Sequence, residues 1–233
     1  MNETHMPRSL IESNFIHYLA NTCDHAGGDQ LPSLQELSLE LGISVSALRE
    51  QLEVARALGM VEVRPRTGIR RQPYTFTPAV KMSLSYAIQL SPDNFQAFAD
   101  LRNRLEDAYY YEAVAKLIED DHEELQRLMK VAWEKLRGDP IQIPHEEHRR
   151  LHLLVYSRLE NPFVTGLLEA FWEAYEKVGL SMYADYHYLQ QVWSYHQQMV
   201  DAICSGNKEA GHQALLEHKD LLAHRKAKNQ ERL

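Results

Sequence analysis

Residues 31–72 read LPSLQELSLELGISVSALREQLEVARALGMVEVRPRTGIRRQ, and the order of helix and strand signals in this stretch predicts the fold of the N-terminal part. Leucines at helical spacing predict one short helix, Gly42 ends it, and Ser44 is placed to cap a second helix. After Gly59, apolar and polar residues alternate as in a strand, and a turn at 66–68 leads into a return strand. Two helices followed by a β-hairpin predict a winged helix-turn-helix.

This motif would place its second helix in the DNA major groove and its hairpin against the backbone or the minor groove. The hairpin carries four arginines, at positions 64, 66, 70 and 71. In an isolated hairpin such charge is equally typical of a solvated turn, but beside a helix-turn-helix it favours contact with phosphates or a groove. The residues predicted to contact double-stranded DNA are Ser33, Gln35, Ser44, Val45, Ser46, Arg49, Arg64, Arg66 and Gly68.

The same stretch resembles the DNA-binding domain of the GntR family of bacterial transcription regulators. The resemblance lies in a leucine-proline pair, an E-L-x-x-x-L-G helix, a serine-capped helix with L-R-E, and G-hydrophobic-V before a glycine wing. The family commonly has arginine where this chain has Gln35 and Val45, whereas Arg49 is kept. The resemblance therefore implies the same docking with altered base readout. Since glutamine can read adenine and valine can touch a thymine methyl, we expect a half-site richer in A·T.

Composition bounds the class of protein. The chain has 233 residues, of which 44% are hydrophobic and 25% charged, as is ordinary for a soluble protein of one or two domains. Its formal net charge of −8 argues against coating nucleic acid by bulk attraction, so any DNA contact is local. The cysteines, Cys23 and Cys204, form no C-x-x-C pair, and no leader or long apolar run is seen. We expect a cytoplasmic protein with no membrane contact.

The composition changes near 71–78, where QPYTFTP places two prolines around β-forming residues. Such a segment is typical of a linker. The predicted fold is mostly α, with an N-terminal winged helix-turn-helix and a C-terminal all-helical antiparallel bundle. The predicted boundaries are 1–72 for the DNA-binding domain, 73–80 for the linker and 81–228 for the all-helical effector- and metal-binding domain.

In the second domain, the apolar positions Leu101, Leu105, Ala108, Ala115 and Leu128 recur at helical spacing, and the acidic residues 119–121 divide them into two helices. Pro144 is placed to start a further helix, which Asn161-Pro162 would end. Within that helix, His148 and His152 lie four residues apart, a spacing that lets two imidazoles converge on one metal ion. From spacing alone, solvated or hydrogen-bonded histidines explain the pair equally well.

The segments LRNRLE, LHLLVYSRLENP and HQQMVDAICSGNKEA resemble the FCD domain, the all-helical effector-binding domain of the FadR branch of the same family. The resemblance spans about residues 82–222. In metal-binding members, an aspartate, a histidine four residues on and two later histidines hold one divalent cation. The three histidines fall on His152, His196 and His218. The aspartate position falls on His148, which implies either a site of four imidazoles or a lost site.

Imidazole ligands suit Zn²⁺ or Ni²⁺ better than Mg²⁺ or Mn²⁺, and an open position on the ion would take a carboxylate effector. The residues assigned to the effector are Arg102, Tyr109 and Asn161. Arg102 matches an arginine that points into the family's effector cavity, although a salt bridge with Glu106 explains it equally well. Of the three consecutive tyrosines 109–111, only one can line a pocket. The tryptophans are expected to be core anchors, and His145, His187 and His212 are expected to lie outside the site.

These features favour a ligand-responsive transcription regulator that senses a small organic acid at a histidine-bound divalent metal. It would act as a homodimer on a pseudo-palindromic operator. One alternative keeps the regulator but makes the metal structural or absent, with a different effector. The other is a metal-dependent hydrolytic enzyme, which is disfavoured because neither an H-E-x-x-H motif nor a candidate general base is present.

Overall fold

The computed structural model describes residues 13–22, 29–178 and 186–230, with side chains up to Lys219. The chain divides into two compact units, Met1–Ala79 and Val80–Leu233. No described helix has the length and apolarity to cross a membrane. The elements in order are α1 (Asn14–Asn21), α2 (Leu34–Leu41), α3 (Val45–Ala57), β1 (Val61–Arg64), β2 (Gly68–Arg71), α4 (Thr77–Leu90), α5 (Asp93–Ala115), α6 (Glu119–Leu136), α7 (His145–Val155), α8 (Pro162–Val178), α9 (Tyr186–Cys204) and α10 (Lys208–Gln230).

Side-chain caps define the helix-turn-helix of the first unit. The Ser33 hydroxyl accepts from the Glu36 amide, and the Glu36 carboxylate accepts from the Ser33 amide at 2.8 Å, which closes a capping box on α2. Gly42 ends α2 in the left-handed region at φ 65°, and the Ser44 hydroxyl then accepts from the Ala47 amide at 3.2 Å to start α3. The tight turn between the two helices therefore follows from local sequence.

The wing is an antiparallel hairpin of β1 and β2, whose register pairs Val61 with Arg71 and Arg64 with Gly68. Its turn requires positive φ at Arg66 (70°) and Gly68 (79°). The side chain of Gln30 donates to the carbonyl of Thr67 at 2.7 Å and occupies the space that a Cβ at Gly68 would need. Glycine is thus favoured by the backbone angle, and its lack of a Cβ lets the Gln30 side chain approach the wing tip.

Helix α1 closes the core of the first unit, which the sequence pattern of residues 31–72 did not include. Phe15 is fully buried and Leu19 nearly so. They pack with apolar residues of the helix-turn-helix and the wing: Leu37, Leu48, Leu52, Ala55, Val61 and Ile69. Gln51 of α3 also accepts from the Phe15 amide at 2.9 Å, so α1 is tied to α3 by a polar contact as well.

The predicted linker differs from the structure in its second half. Helix α4 begins at Thr77, inside the predicted range 73–80, and Pro78 lies in its first turn. Proline is tolerated there because the first amides of a helix have no partner within the helix, so a proline that suggests a break can mark a start. The extended residues are limited to 72–76.

Every described element of the second unit is a helix, as predicted, and α5 turns a charged pair inward. Leu101 is 42% exposed and Ala108 is also exposed, whereas Arg102 and Glu106 are 3% and 0% exposed. The two helices predicted from this spacing are present as α5 and α6, and the buried face of α5 carries charged side chains. The helix points its ion pair towards α7–α10, where the polar groups of the unit collect.

The predicted end of the third helix at Asn161-Pro162 is also wrong. Helix α7 ends at Val155, and Pro162 begins α8. Asn161 caps α8, because its Oδ1 accepts from the amides of Phe163 (3.1 Å) and Val164 (3.3 Å). The Asn-Pro pair thus starts a helix, which is a common use of proline in a first turn.

Candidate metal centre and DNA-binding surface

Four histidines from three helices converge inside the second unit. His148 and His152 lie on α7, His196 on α9 and His218 on α10, and one ligand nitrogen from each lies within 4.8 Å of the others. The Nε2 atoms of His152 and His196 are 3.1 Å apart. His152, His196 and His218 are at most 2% exposed, whereas His148 is half-buried. The structure therefore brings together all four residues that the sequence predicted as metal ligands.

Four of the eight ring nitrogens in this cluster are buried without a hydrogen-bond partner among the described residues. They are His148 Nε2, His196 Nδ1 and both nitrogens of His218. A buried polar atom without a partner costs on the order of 1–3 kcal/mol, so several in one place call for an explanation. A metal ion supplies one, because it binds the lone pairs that the protein leaves unused.

Electrostatics keep these imidazoles neutral, which is the form that binds metal. Burial lowers the pKa of all four histidines well below the usual value, and positive charge on neighbouring groups adds to the effect. For His152 the neighbours are Arg102 and Lys219. The cluster therefore presents free lone pairs at neutral pH.

The donor set fits a borderline divalent cation. Tetrahedral zinc with Zn–N bonds of about 2.0–2.1 Å holds its nitrogens about 3.3 Å apart. The His152–His196 pair matches that spacing, and a pair at the outer limit of 4.8 Å would need to close by about 1.5 Å. Because His148 stands where the family has aspartate, the ligands are four neutral imidazoles and add no negative charge.

Aromatic rings wall the cluster. The Trp172 ring lies 4.7 Å from His148 and 5.0 Å from His152, and the Trp193 ring lies 5.0 Å from His196, between ring centroids. Both tryptophans are buried, as expected for core anchors, but they also exclude water from the histidines. The indole N–H of Trp172 is buried without a hydrogen-bond partner. Trp193 shares a helical face with His196 at i+3, whereas no local signal links Trp172 to the site.

Arg102 and Glu106 form a buried ion pair at the edge of the cluster. Their closest atoms, Nη2 and Oε1, are 2.7 Å apart, and Arg102 Nη2 also lies 2.9 Å from His152 Nδ1. Arg102 thus makes the predicted pair with Glu106 and also faces the histidines, whereas its effector role stays a prediction. Burial raises the pKa of Glu106, and the charges of Arg102 and Lys219 oppose that effect. Sequence reasoning missed Glu106 as a site residue, although its i+4 spacing from Arg102 was visible.

Asn161 and Tyr109 contact each other rather than the ion pair. The Asn161 amide lies 3.4 Å from the Tyr109 hydroxyl, and its Oδ1 is used to cap α8. Tyr110 is fully buried, and Tyr111 is 44% exposed beside His212. His212 pairs with Asp107 at 2.6 Å, His187 is exposed, and neither belongs to the cluster, nor does His145. The effector roles of Asn161 and Tyr109 stay predictions.

The residues predicted to contact DNA lie on the surface of the first unit. All except Val45, which is half-buried, are exposed: Ser33, Gln35, Ser44, Ser46, Arg49, Arg64, Arg66 and Gly68. Ser33, Gln35, Arg66 and Gly68 share the lining of a groove of about 430 Å³. The wing tip and the start of α2 are therefore neighbours. Arg64 pairs with Glu62 at 2.7 Å, an exposed pair that a phosphate can displace.

Comparison with known proteins shows which family has this architecture. Residues 97–221 match the FCD domain family. Over 219 residues the chain is 26% identical to the HTH-type transcriptional regulator YcbG of Bacillus subtilis, covering 94% of this chain and 88% of that protein. It is 24% identical to the HTH-type transcriptional regulator LutR of the same organism, covering 82% and 88%. The solved structure of Streptococcus agalactiae GntR has a TM-score of 0.65 at 19% identity, covering 91% of this chain and 96% of that chain.

The FCD match spans more than half of the chain, and the related regulators extend across the winged helix-turn-helix. The structure of Streptococcus agalactiae GntR has the same fold. These relatives exclude the hydrolytic enzyme that the sequence left open. The chain belongs to the FCD domain family and is a GntR-family transcription regulator with an FCD effector-binding domain.

Proposed function

We propose that this regulator senses a small carboxylate at a divalent metal ion held by His148, His152, His196 and His218. The observation that carries the proposal is the convergence of four imidazoles with lowered pKa values, three of which have buried nitrogens without a hydrogen-bond partner among the described residues. A bound ion would act as a Lewis acid towards an anionic oxygen in a coordination position beyond the four imidazoles. The ion would be Zn²⁺ or Ni²⁺, because four neutral imidazoles favour these over the harder Mg²⁺ and Mn²⁺.

Charge and hydrogen-bond donors beside the histidines support a carboxylate effector. The Arg102 guanidinium lies over the Phe171 and Trp172 rings, 4.8 Å and 5.2 Å from their centroids, and is held in a low-dielectric wall. The Trp172 indole N–H is an additional unused donor. An organic acid can therefore be met by a cation and a neutral donor in a dry site, which strengthens both contacts. Tyr109 and Asn161 are retained as candidate effector residues further from the histidines.

Two winged helices, one from each subunit of a homodimer, would bind a pseudo-palindromic operator in the cytoplasm, as in the FadR branch. One recognition helix offers too few contacts for tight specific binding, which favours a two-fold assembly. Large apolar side chains at Met82, Tyr86 and Leu90 of α4 are exposed, and apolar surface of this kind suits self-association. Effector binding would change the operator affinity by shifting the population of two arrangements of the dimer.

The direct test is elemental analysis of protein purified without chelators, together with mass spectrometry of any organic acid that is bound to it. We expect close to one Zn²⁺ or Ni²⁺ per chain and a small carboxylic acid released on denaturation. If metal is present but no carboxylate changes operator affinity, the metal is structural and the effector is of another kind. Protein that contains no metal and takes up none would contradict the proposal.

Base readout should depend on Arg49. It is exposed on α3, so Arg49→Ala should cost about 1–3 kcal/mol in affinity for the selected operator and little for random duplex. Arg66→Ala, at the wing tip, should weaken binding to all sequences and lower the salt slope by about 1. Fluorescence anisotropy at several salt concentrations separates the two effects. Equal losses on operator and random DNA for Arg49→Ala would refute base readout.

The oligomeric state is checked by sedimentation. At micromolar concentration the protein should have about twice the monomer mass of 27.0 kDa. Replacing the exposed Tyr86 by aspartate is a probe of the α4 surface, with the exposed Glu112→Gln of α5 as a control. A wild-type monomer that still bound the operator with nanomolar affinity would exclude the dimer.

A further inference from the structure

One ring nitrogen of His152 faces two partners of opposite hydrogen-bonding character. Arg102 Nη2 lies 2.9 Å from His152 Nδ1, and Glu106 Oε1 lies 3.2 Å from the same atom. The other nitrogen, Nε2, points to His196 Nε2 at 3.1 Å, inside the cluster. The tautomer of His152 therefore depends on whether Nδ1 accepts a hydrogen bond from Arg102 or donates one to Glu106.

The two partners have opposite consequences for metal binding. A neutral imidazole has one N–H and one lone pair, an arginine can only donate, and a carboxylate can only accept. If Arg102 donates to Nδ1, the proton of His152 lies on Nε2 and no lone pair faces the cluster. If Glu106 accepts from Nδ1–H, the Nε2 lone pair is free. Only the second arrangement lets His152 bind an ion through Nε2.

We propose that Glu106 is a positioning residue that holds His152 in the metal-binding tautomer, with Arg102 fixing the carboxylate in place. The inference rests on the proposed function, since it concerns how the same site holds its ion. Ligating histidines commonly donate their second N–H to a carboxylate, which sets the ring orientation and increases ligand basicity. Here that carboxylate comes from α5, a helix that supplies none of the four histidines.

The surroundings of Glu106 support this role. Its side chain is fully buried, and its main-chain carbonyl accepts from the Tyr156 hydroxyl at 2.8 Å, which ties this turn of α5 to the end of α7. Although Arg102 lies close, neither carboxylate oxygen makes a hydrogen bond of good geometry with the described residues. Both oxygens therefore keep acceptor capacity, and Oε1, which lies 3.2 Å from His152 Nδ1, would accept from an Nδ1–H once the two groups align. A buried ion pair is weak evidence for stability by itself, so the alignment of His152 gives the pair a specific use.

Arg102 then has two roles, one after the other. A protonated Nδ1 cannot accept from Arg102, so in the metal-binding tautomer the guanidinium loses His152 as an acceptor and keeps Glu106. One N–H of Arg102 becomes available for an anionic oxygen in the same step. The geometry therefore links occupation of the metal site to the readiness of Arg102 for a carboxylate, so metal should precede effector.

The test compares Zn²⁺ affinity in the full-length protein, measured by competition with a chromophoric chelator. Glu106→Gln removes the carboxylate, and the double variant Arg102→Met with Glu106→Gln removes the unpaired guanidinium as well, so that folding is not burdened by a buried charge. Asp121→Asn is the matched control, because it breaks another arginine–carboxylate pair of the same unit, between α6 and Arg158 in the α7–α8 connection, at 2.5 Å.

We expect both Glu106 variants to bind Zn²⁺ about 10- to 100-fold more weakly, the range for loss of a partner that orients a ligand. The double variant should melt near the wild-type temperature when metal-free, whereas Asp121→Asn should melt lower and keep wild-type Zn²⁺ affinity. A folded double variant with wild-type affinity would overturn the positioning role. Wild-type protein that binds no Zn²⁺ would overturn the proposed function, and this inference with it.

A second readout addresses the tautomer directly. In protein labelled with ¹⁵N-histidine and loaded with Zn²⁺, the resonances that His152→Asn removes should belong to an imidazole protonated at Nδ1 and bound through Nε2. Adding Zn²⁺ should also increase affinity for a simple probe carboxylate such as acetate or lactate in the wild type, but not in Arg102→Met. A His152 ring protonated at Nε2 in the Zn²⁺-loaded protein would refute the proposal.

Discussion

Replacing His196 with alanine should abolish stoichiometric binding of Zn²⁺ or Ni²⁺ and remove the metal's stabilisation of the helical unit. His196 is 1% exposed and its Nε2 lies 3.1 Å from His152 Nε2, so no other side chain of α9 in the described cluster can replace it. A ligand present at a thousandfold excess over its Kd stabilises the native state by about 4 kcal/mol. Wild-type protein should therefore gain about that much in Zn²⁺, and the variant close to none.

The measurement is urea unfolding with and without a chelator, followed by tryptophan fluorescence. All three tryptophans, at positions 133, 172 and 193, lie in the helical unit, so the signal excludes the winged helix. His187→Ala is the matched control, because His187 is exposed on the same helix. Both variants should still bind DNA. Full metal content in His196→Ala, or equal loss in His187→Ala, would show that the cluster is not the site.

His148 is a more selective probe of the same site. His148→Asp restores the residue that the family has at this position and replaces a neutral donor with an anionic oxygen. The variant should keep a metal ion but shift preference from Zn²⁺ and Ni²⁺ towards Mn²⁺. Competition between Zn²⁺ and Mn²⁺ checks this, with wild type measured in parallel. An unchanged preference would mean that His148 does not bind the ion.

The helix-turn-helix was predictable because its signals are local. Ser33 with Glu36, Gly42 and Ser44 each act within three or four residues, and the caps that they form are independent of the rest of the chain. The contribution of α1 was not predictable in this way. Phe15 enters the core through contacts with residues more than twenty positions away, and no pattern within residues 31–72 contains that information.

Helix α5 shows why apolar periodicity can predict a helix without indicating which of its faces joins the site. A leucine and alanine repeat is normally the buried face, but here Leu101 is exposed and the buried face carries Arg102 and Glu106. Charged residues enter a core only when they are paired, and the pair is explained by the histidines on α7, α9 and α10 that it faces. Family resemblance could supply His196 and His218, which spacing alone could not connect with His152. No pattern in the sequence indicated that Trp172 packs on the same cluster.

Acidification should unfold the metal-free helical unit steeply, and this is the second large effect that we expect. Burial lowers the pKa of His148, His152, His196 and His218 in the folded state, whereas the unfolded chain takes up protons near the ordinary value of about 6.5. The stability that these groups contribute is therefore complete above pH 6.5 and falls as the pH drops below it. Four protons bound only by the unfolded chain give a slope of up to about 5 kcal/mol per pH unit.

Charged residues beside the histidine cluster determine how strongly the free energy of unfolding changes with pH. After burial, the positive charges of Arg102 on α5 and Lys219 on α10 are what lowers the pKa of His152, so they disfavour its protonation in the folded state. Glu106 acts in the opposite direction, because its raised pKa lets the folded state bind a proton before the unfolded chain does. That proton offsets about 1.4 kcal/mol per pH unit at most, over the range where only the folded state holds it. Destabilisation by the histidines therefore prevails.

Chelator-treated protein should be unfolded by urea at several pH values between 7.5 and 5, again with tryptophan fluorescence. His196→Gln removes one titrating group and should lower the slope below pH 6.5 by about 1.4 kcal/mol per pH unit, whereas the exposed His187→Gln should leave it unchanged. Zn²⁺ should shift the onset of unfolding to lower pH, because protons and metal compete for the same lone pairs. Metal-free stability that is flat from pH 7 to pH 5.5, or an equal slope in both variants, would mean that the cluster does not hold four neutral imidazoles in the folded protein.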